Sequence, residues 1–171
     1  SGALYYAITT GSFPSNIQVA SVDFDAGKII SAATDVLPQE YLRVKSLPLW
    51  SPDGKYLAYV SGPLGRRGPW SAVFVIRSAE TGQVVRELQV GQKLSYFFSQ
   101  GISWAPDGRS FLLQGVDFKG RTGAFAVDAQ TGDASPVRLD QPGESLVRLT
   151  APSVTPLSYP TWSPDGKSLY F

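Results

Sequence analysis

One phrase occurs three times in this chain. Leu49-Trp50-Ser51-Pro52-Asp53-Gly54-Lys55 returns as Ser103-Trp104-Ala105-Pro106-Asp107-Gly108-Arg109 and again as Thr161-Trp162-Ser163-Pro164-Asp165-Gly166-Lys167. The tryptophans lie 54 and 58 residues apart. A period of that length, built of short apolar runs and turn signals, marks one sheet-sized unit copied along the chain. A second marker keeps step with the first. Glu80-Thr81-Gly82 matches Gln130-Thr131-Gly132, and Phe24-Asp25-Ala26-Gly27 is a weaker copy. Trp50 to Gly82 is 32 residues and Trp104 to Gly132 is 28, so two independent signals repeat in phase.

Between the markers the pattern is that of strands. In Ser51-Pro52-Asp53-Gly54, proline presets φ for the first corner and aspartate can accept from the backbone two residues on. Glycine then takes the positive φ that a side chain resists. Residues 47–50 and 55–61 flank this turn as strands. Ala72-Val73-Phe74-Val75-Ile76-Arg77 is a continuous apolar run, as in a strand buried on both faces. Residues 83–90 close the unit as a more polar strand. The next unit repeats this at 101–104, 110–114, 123–128 and 135–139. The chain opens on strands at 4–9, 17–22 and 28–33, with no Pro-Asp-Gly phrase before them, and stops after one at 168–171. No stretch holds apolar residues at helical spacing over a dozen positions, and β-branched and aromatic residues dominate the runs. The expected fold is all-β: a partial β-propeller of four-stranded antiparallel blades. Two blades are complete, at about 43–90 and 97–140, and two are partial, at 1–37 and 146–171.

Composition narrows the chemistry. The chain has 171 residues, 43% of them apolar, which is enough for a sizeable core and too apolar for disorder. Its net charge is +1 with scattered basic residues, so no nucleic-acid partner is expected. It contains no cysteine, which excludes disulfides, thiolate metal sites and cysteine nucleophiles. It contains no histidine, which removes the usual general base and the Ser-His-Asp relay. No enzyme activity, metal or cofactor is expected. No apolar run approaches the length of a membrane span. The opening Ser1-Gly2-Ala3 and the lack of any methionine suggest a piece of a longer protein. A short arc of blades would leave a sheet edge and an apolar face open. The expectation is that absent sequence, or self-association with a second copy, completes the ring.

The Trp-Ser-Pro-Asp-Gly-Lys phrase with its downstream Thr-Gly turn resembles the blade signature of TolB-like propellers. The same signature occurs in propellers attached to prolyl-oligopeptidase-type serine peptidases and in sensor modules of some bacterial regulators. The resemblance implies a module that binds a protein partner or senses a small ligand, in a periplasmic or extracytoplasmic setting. The alternative it implies is the gating or docking domain of a peptidase whose catalytic domain is absent.

Candidate site residues fall into three groups. Trp50, Pro52, Asp53 and Gly54, with Trp104, Pro106, Asp107 and Gly108, and Trp162, Pro164, Asp165 and Gly166, are read as structural blade turns. Successive blades hold the three aspartates too far apart to share an ion, and the tryptophans are placed in the wedges between blades. Lys55, Arg109 and Lys167 are read as solvated strand starts. Arg66, Arg67 and Trp70, in a loop from Gly62 to Trp70, suit a partner's carboxylates or phosphates, the alternative being a mobile solvated loop. Tyr96 and Phe97 are placed in a blade-to-blade connector at 91–100, either as an exposed partner anchor or as part of the core. Connectors are also placed at 37–46 and 140–158. The resemblance implies that they share a ring face with the Gly62–Trp70 loop, and ligands are expected on that face. Asp35, Glu40, Asp117, Asp140 and Glu144 are assigned to loops, with no spacing that sets up the paired carboxyls of a glycosidase.

Overall fold

The computed structural model describes residues 2–8, 16–35, 43–63, 73–97, 102–137, 161–163 and 165–170. Within them the chain is all β, apart from one 3-10 turn at Val90–Gln92. The first sheet holds β1 (Gly2–Ile8), β2 (Asn16–Asp23), β3 (Lys28–Ile29) and β4 (Thr34–Asp35). The second holds β5 (Arg43–Trp50), β6 (Tyr56–Pro63), β7 (Val73–Ser78) and β8 (Val84–Leu88), paired in that order. The third holds β9 (Leu94–Phe97), β10 (Ser103–Trp104), β11 (Ser110–Asp117), β12 (Thr122–Asp128) and β13 (Ala134–Pro136). The fourth pairs β14 (Thr161–Trp162) with β15 (Leu169–Tyr170). Every pairing is antiparallel.

The strand period explains the stacking. Along β6, Ala58 and Val60 face the third sheet, while Tyr59 faces the first. Along β7, Phe74 and Ile76 face the third sheet, and Val73 and Val75 the first. The continuous apolar run is therefore a strand covered on both sides, with alternate residues serving two different cores. The larger core lies between the second and third sheets, where Phe74 and Ile76 meet Phe111, Leu113, Phe125 and Val127. Phe74 and Phe111 bring their rings to 5.5 Å across the junction, and Trp104 sits 4.4 Å from Phe111 within the third sheet. Burying one such ring contributes roughly 1.5–3 kcal/mol. Ile17 of β2 meets Tyr59, Val73 and Val75 on the other side.

The inner strands of successive sheets lie side by side, β5 beside β10 and β10 beside β14. Turns also touch between sheets. A Cβ added at Gly132 would stand 3.3 Å from the Leu88 Cβ, and one at Gly166 would stand 3.3 Å from Pro106.

Several boundaries differ from those expected. The inner strand starts earlier: Arg43–Ser46 and Leu94–Phe97 are strand, not connector. In the second sheet it carries a bulge, since the register steps from Ser46↔Val60 to Leu49↔Ala58. Leu47 absorbs the extra residue at φ 59°. In the third sheet the same strand is broken in two, with Phe97 opposite Gly115 and Ser103 opposite Leu112. The outer strand expected at 28–33 is likewise split into β3 and β4, both paired to β2. Asp35 lies in β4 and Asp117 ends β11, so neither is a loop acid. Gly62 and Pro63 finish β6 and do not belong to the loop that follows. Glu40, Asp140 and Glu144 lie outside the described residues.

Candidate functional site

Each sheet has two unlike ends. At one end are the Pro-Asp-Gly and Thr-Gly turns, and their geometry repeats. Gly54 N–H donates to Ser51 O at 2.8 Å, Gly108 N–H to Ala105 O at 2.9 Å, and Gly166 N–H to Ser163 O at 2.9 Å. The glycines adopt φ of 70°, 70° and 71°, a region that costs a side chain about 1–2 kcal/mol. In each turn the aspartate Oδ1 accepts the N–H two residues on: Lys55 at 3.1 Å, Arg109 at 2.9 Å and Lys167 at 3.1 Å. In two of the three turns a serine adds a relay. Ser51 Oγ donates to Asp53 at 2.6 Å and accepts Tyr56 N–H at 2.9 Å. Ser163 Oγ donates to Asp165 at 2.5 Å and accepts Ser168 N–H at 2.9 Å. Ala105 stands at the third position and has no hydroxyl to offer. The Ser51 hydroxyl, then the Lys55 N–H, hold the Asp53 carboxyl below its ordinary pKa. Ser163 and then Lys167 do the same for Asp165.

The second turn sits beside the first. Ala79 N–H donates to Lys55 O, and Ala129 N–H to Arg109 O, both at 2.8 Å. Asp128 accepts Thr131 N–H at 2.7 Å and Gln130 N–H at 2.8 Å, which lowers its pKa. Asp23 caps the first sheet's copy by accepting from Asp25 and Ala26 at 3.0 Å. Lys93 reaches Asp133 at 2.8 Å and lowers that carboxyl's pKa, helped by Thr131. These acids are occupied in closing turns. Among the described residues no three of them gather into a metal-binding group.

At the other end lie the connections from β6 to β7 and from β11 to β12. Arg66, Arg67 and Trp70 belong to the first, residues 64–72, and lie outside the described residues, as does Pro164. The second is a tight hairpin. Asp117 Oδ1 accepts the N–H of Lys119 at 2.8 Å and of Arg121 at 2.9 Å, while Oδ2 accepts Arg121 Nε–H at 2.7 Å. Arg121 Nη2 also pairs with Oδ2 at 2.7 Å. Burial raises the Asp117 carboxyl, but the Arg121 and Lys119 donors outweigh it and the pKa is lowered. Ser95 Oγ braces the hairpin from β9, 3.0 Å from the carbonyls of both Val116 and Asp117. The tip raises Phe118 to 60% exposure, with Lys119 and Arg121 exposed beside it.

The remaining candidates fall in strands. Tyr96 and Phe97 belong to β9 and pair with Val116 and Gly115, the two residues before Asp117. Trp50, Trp104 and Trp162 each end an inner strand. Trp50 and Trp104 are half-buried, and Trp104 joins the core between the second and third sheets. Pro52, Asp53, Asp107, Lys55, Arg109 and Lys167 stand at the turn end. Phe118, Lys119 and Arg121 were not among the sequence candidates. The signal was the Asp117-Phe118-Lys119-Gly120-Arg121 spacing between two apolar strands, which sets an aspartate cap and a positive-φ glycine around an aromatic residue.

No protein-family model matches the chain, and no curated protein sequence does. Solved structures do. TolB from Acinetobacter baumannii aligns over 98% of this chain and 35% of its own, at 20% identity and a TM-score of 0.59. Prolyl oligopeptidase B from Galerina marginata aligns over 99% of this chain and 24% of its own, at 20% identity and 0.55. A prolyl endopeptidase aligns over 98% and 24%, at 15% identity and 0.55. The chain thus spans about a third of the TolB chain and about a quarter of the two peptidases. Among the described residues no helix is long and apolar enough to cross a membrane. The radial sheets, the side-by-side inner strands and these likenesses agree on one architecture, a partial β-propeller of antiparallel blades.

Proposed function

We propose that this chain is a non-catalytic propeller segment that binds a protein partner through the end carrying the β11–β12 hairpin. One observation carries the reading. Phe118 stands 60% exposed on a tip whose backbone is fixed by Asp117 and Ser95. A single exposed aromatic on a pliant loop needs no explanation. An aromatic held out on a braced hairpin resembles the anchors that dominate interfaces, because little conformational entropy is lost when it docks. The turn end also carries an exposed aromatic, Phe24, but it lies between two acids, Asp23 and Asp25, where Phe118 is followed by Lys119 and Arg121. Sensing of a small ligand at the same end is the narrower version of this reading.

The test places a photo-crosslinking phenylalanine analogue at position 118 and, separately, at 24, in the full-length protein within its native cell. Phe24 is as exposed, at 64%, but sits on the turn end. A discrete adduct from 118 that is absent from 24 supports the reading. Identical patterns from both positions reject it.

A second reading is the gating or docking domain of a prolyl-oligopeptidase-type peptidase, supported by the likeness to two such enzymes at a TM-score of 0.55. The surrounding reading frame separates the two. A Gly-x-Ser-x-Gly nucleophile elbow on a following α/β domain supports the peptidase.

A further inference from the structure

Three copies of one turn permit a controlled comparison within a single molecule. Each sets an aspartate directly before a glycine: Asp53-Gly54, Asp107-Gly108 and Asp165-Gly166. All three aspartates are exposed. In each, Oδ1 accepts the N–H two residues on, at 3.1, 2.9 and 3.1 Å. That bond folds the carboxyl over the peptide group between the two residues, whose nitrogen belongs to the glycine. The glycine has no side chain to shield this nitrogen. A carboxyl held beside the next amide nitrogen is the arrangement from which a cyclic imide forms. The copies differ in what else the carboxyl meets. Ser51 Oγ donates to Asp53 Oδ1 at 2.6 Å and Ser163 Oγ to Asp165 Oδ1 at 2.5 Å, and each hydroxyl is itself fixed by accepting a backbone N–H at 2.9 Å. With Ala105 in the serine's place, Asp107 keeps the Arg109 N–H as its one hydrogen-bond donor among the described residues.

We propose that Asp107 is a site of spontaneous isoaspartate formation in the folded protein, and that Ser51 and Ser163 protect Asp53 and Asp165 from the same reaction. The Gly108 nitrogen attacks Asp107 Cγ and an N–Cγ bond forms. The Cγ–OH bond breaks, and the hydroxyl leaves with the amide proton as water. A second water then opens the imide ring. Attack at Cγ restores aspartate, and attack at the α-carbonyl carbon leaves the backbone running through Cβ. The step consumes the uncharged acid, because a carboxylate has no hydroxyl to release. A hydroxyl that donates to the carboxylate favours its charged form and fixes its orientation, so serine slows the reaction on both counts. Ala105 does neither. The product disturbs more than one residue. Arg109 N–H loses the Asp107 side chain, and Arg109 O is the acceptor for Ala129 N–H, at 2.8 Å, from the neighbouring turn. Pro106, one residue before, is the group against which Gly166 of the fourth sheet closes. An extra backbone carbon at position 107 therefore loosens the joint between the third and fourth sheets.

The test holds the folded full-length protein at neutral pH, below its melting transition, and samples it over weeks. Electron-transfer fragmentation of its peptides scores isoaspartate at positions 53, 107 and 165 in the same sample. Position 107 is expected to accumulate it about ten-fold faster than the other two, the factor by which one charge-assisted hydrogen bond shifts a protonation equilibrium. Ala105→Ser should bring position 107 down to the rate of the others. Ser163→Ala should raise position 165 to the rate of 107 and leave 107 unchanged, which keeps the inference testable should Ala105→Ser fail to fold. The three turns as isolated synthetic peptides provide the baseline and should age alike. Equal rates at the three positions of the folded protein overturn the inference, and so does a faster rate at 53 or 165. A peptide baseline that already favours 107 by the same factor also overturns it, because the bias then lies in local sequence and not in the fold. Rates that stay unchanged in both serine variants overturn the protective role of the hydroxyl.

Discussion

The two ends of these sheets were built under different rules. At the turn end, three Pro-Asp-Gly copies place their glycines at φ 70°, 70° and 71° and bond in the same pattern. At the loop end, nine residues join β6 to β7, while four join β11 to β12. The first geometry is set by residues two to five apart, so every copy of the phrase arrives at the same turn. The second follows no repeated phrase: Asp117 closes the four-residue hairpin with its own neighbours, and the nine-residue connection has no counterpart to it in sequence. The contrast shows how a repeat protein divides its labour: one rim holds the sheets in register and the other is free to vary.

The largest test asks whether the two rims share one core. Phe111 is fully buried between the second and third sheets. Phe111→Ala should cost about 3–5 kcal/mol by denaturant unfolding, with tryptophan fluorescence and circular dichroism moving together. A loss under about 1 kcal/mol would mean that the sheets do not lean on one another.

The next test compares a glycine from each rim. Gly108→Ala and Gly120→Ala, at φ 70° and 77°, should each cost about 1–2 kcal/mol. Only Gly120→Ala should also weaken the adduct formed at position 118. If both variants weaken it alike, the hairpin has no special part in binding.

Much of the turn rim could be read in advance and much of the loop rim could not, for a physical reason. The period of residues 55–61 and 72–77 predicts strands by itself, and β6 (Tyr56–Pro63) and β7 (Val73–Ser78) follow closely. The bulge at Leu47 and the break between β9 and β10 depend on what lies opposite, which no local window shows. Tyr96 reads locally as connector because β9 is four residues long and gains its identity only from Val116, 20 positions on. Phe118 was missed because a strand-turn-strand window does not show which side chain the hairpin raises. Arg66, Arg67 and Trp70 stand out by composition alone and lie outside the described residues.

Within the turn rim, the natural Ser/Ala difference offers a finer test. Ser163→Ala should cost about 1 kcal/mol, and Ala105→Ser should return about 0.5–1 kcal/mol if the new hydroxyl joins Asp107 to the backbone as Ser51 joins Asp53. Calorimetry on both variants decides it, and no gain from Ala105→Ser would mean that the relay is incidental.

Acid should act on the same groups. Asp53, Asp128 and Asp165 have lowered pKa values in the folded chain. Their contribution is complete above the unfolded carboxylate range and is lost as pH falls through the lowered values, so it declines below about pH 4. Ser51→Ala with Ser163→Ala should flatten that decline, as a pH series of melting temperatures would show. The smallest effect expected is on the stability of Phe118→Ala and Lys119→Glu. Both should unfold within about 0.5 kcal/mol of the parent, which keeps any binding loss attributable to the surface.

The approach of Gly132 to Leu88 and of Gly166 to Pro106 has a geometric consequence. At each place a hydrogen stands where any other residue would put a carbon 3.3 Å from the neighbouring sheet. A methyl there would act as a shim, prising adjacent sheets to a wider angle. The number of sheets that fit around a full circle is the inverse of that angle. Two of the smallest side chains in the molecule therefore help to set the circumference of any closed wheel it joins.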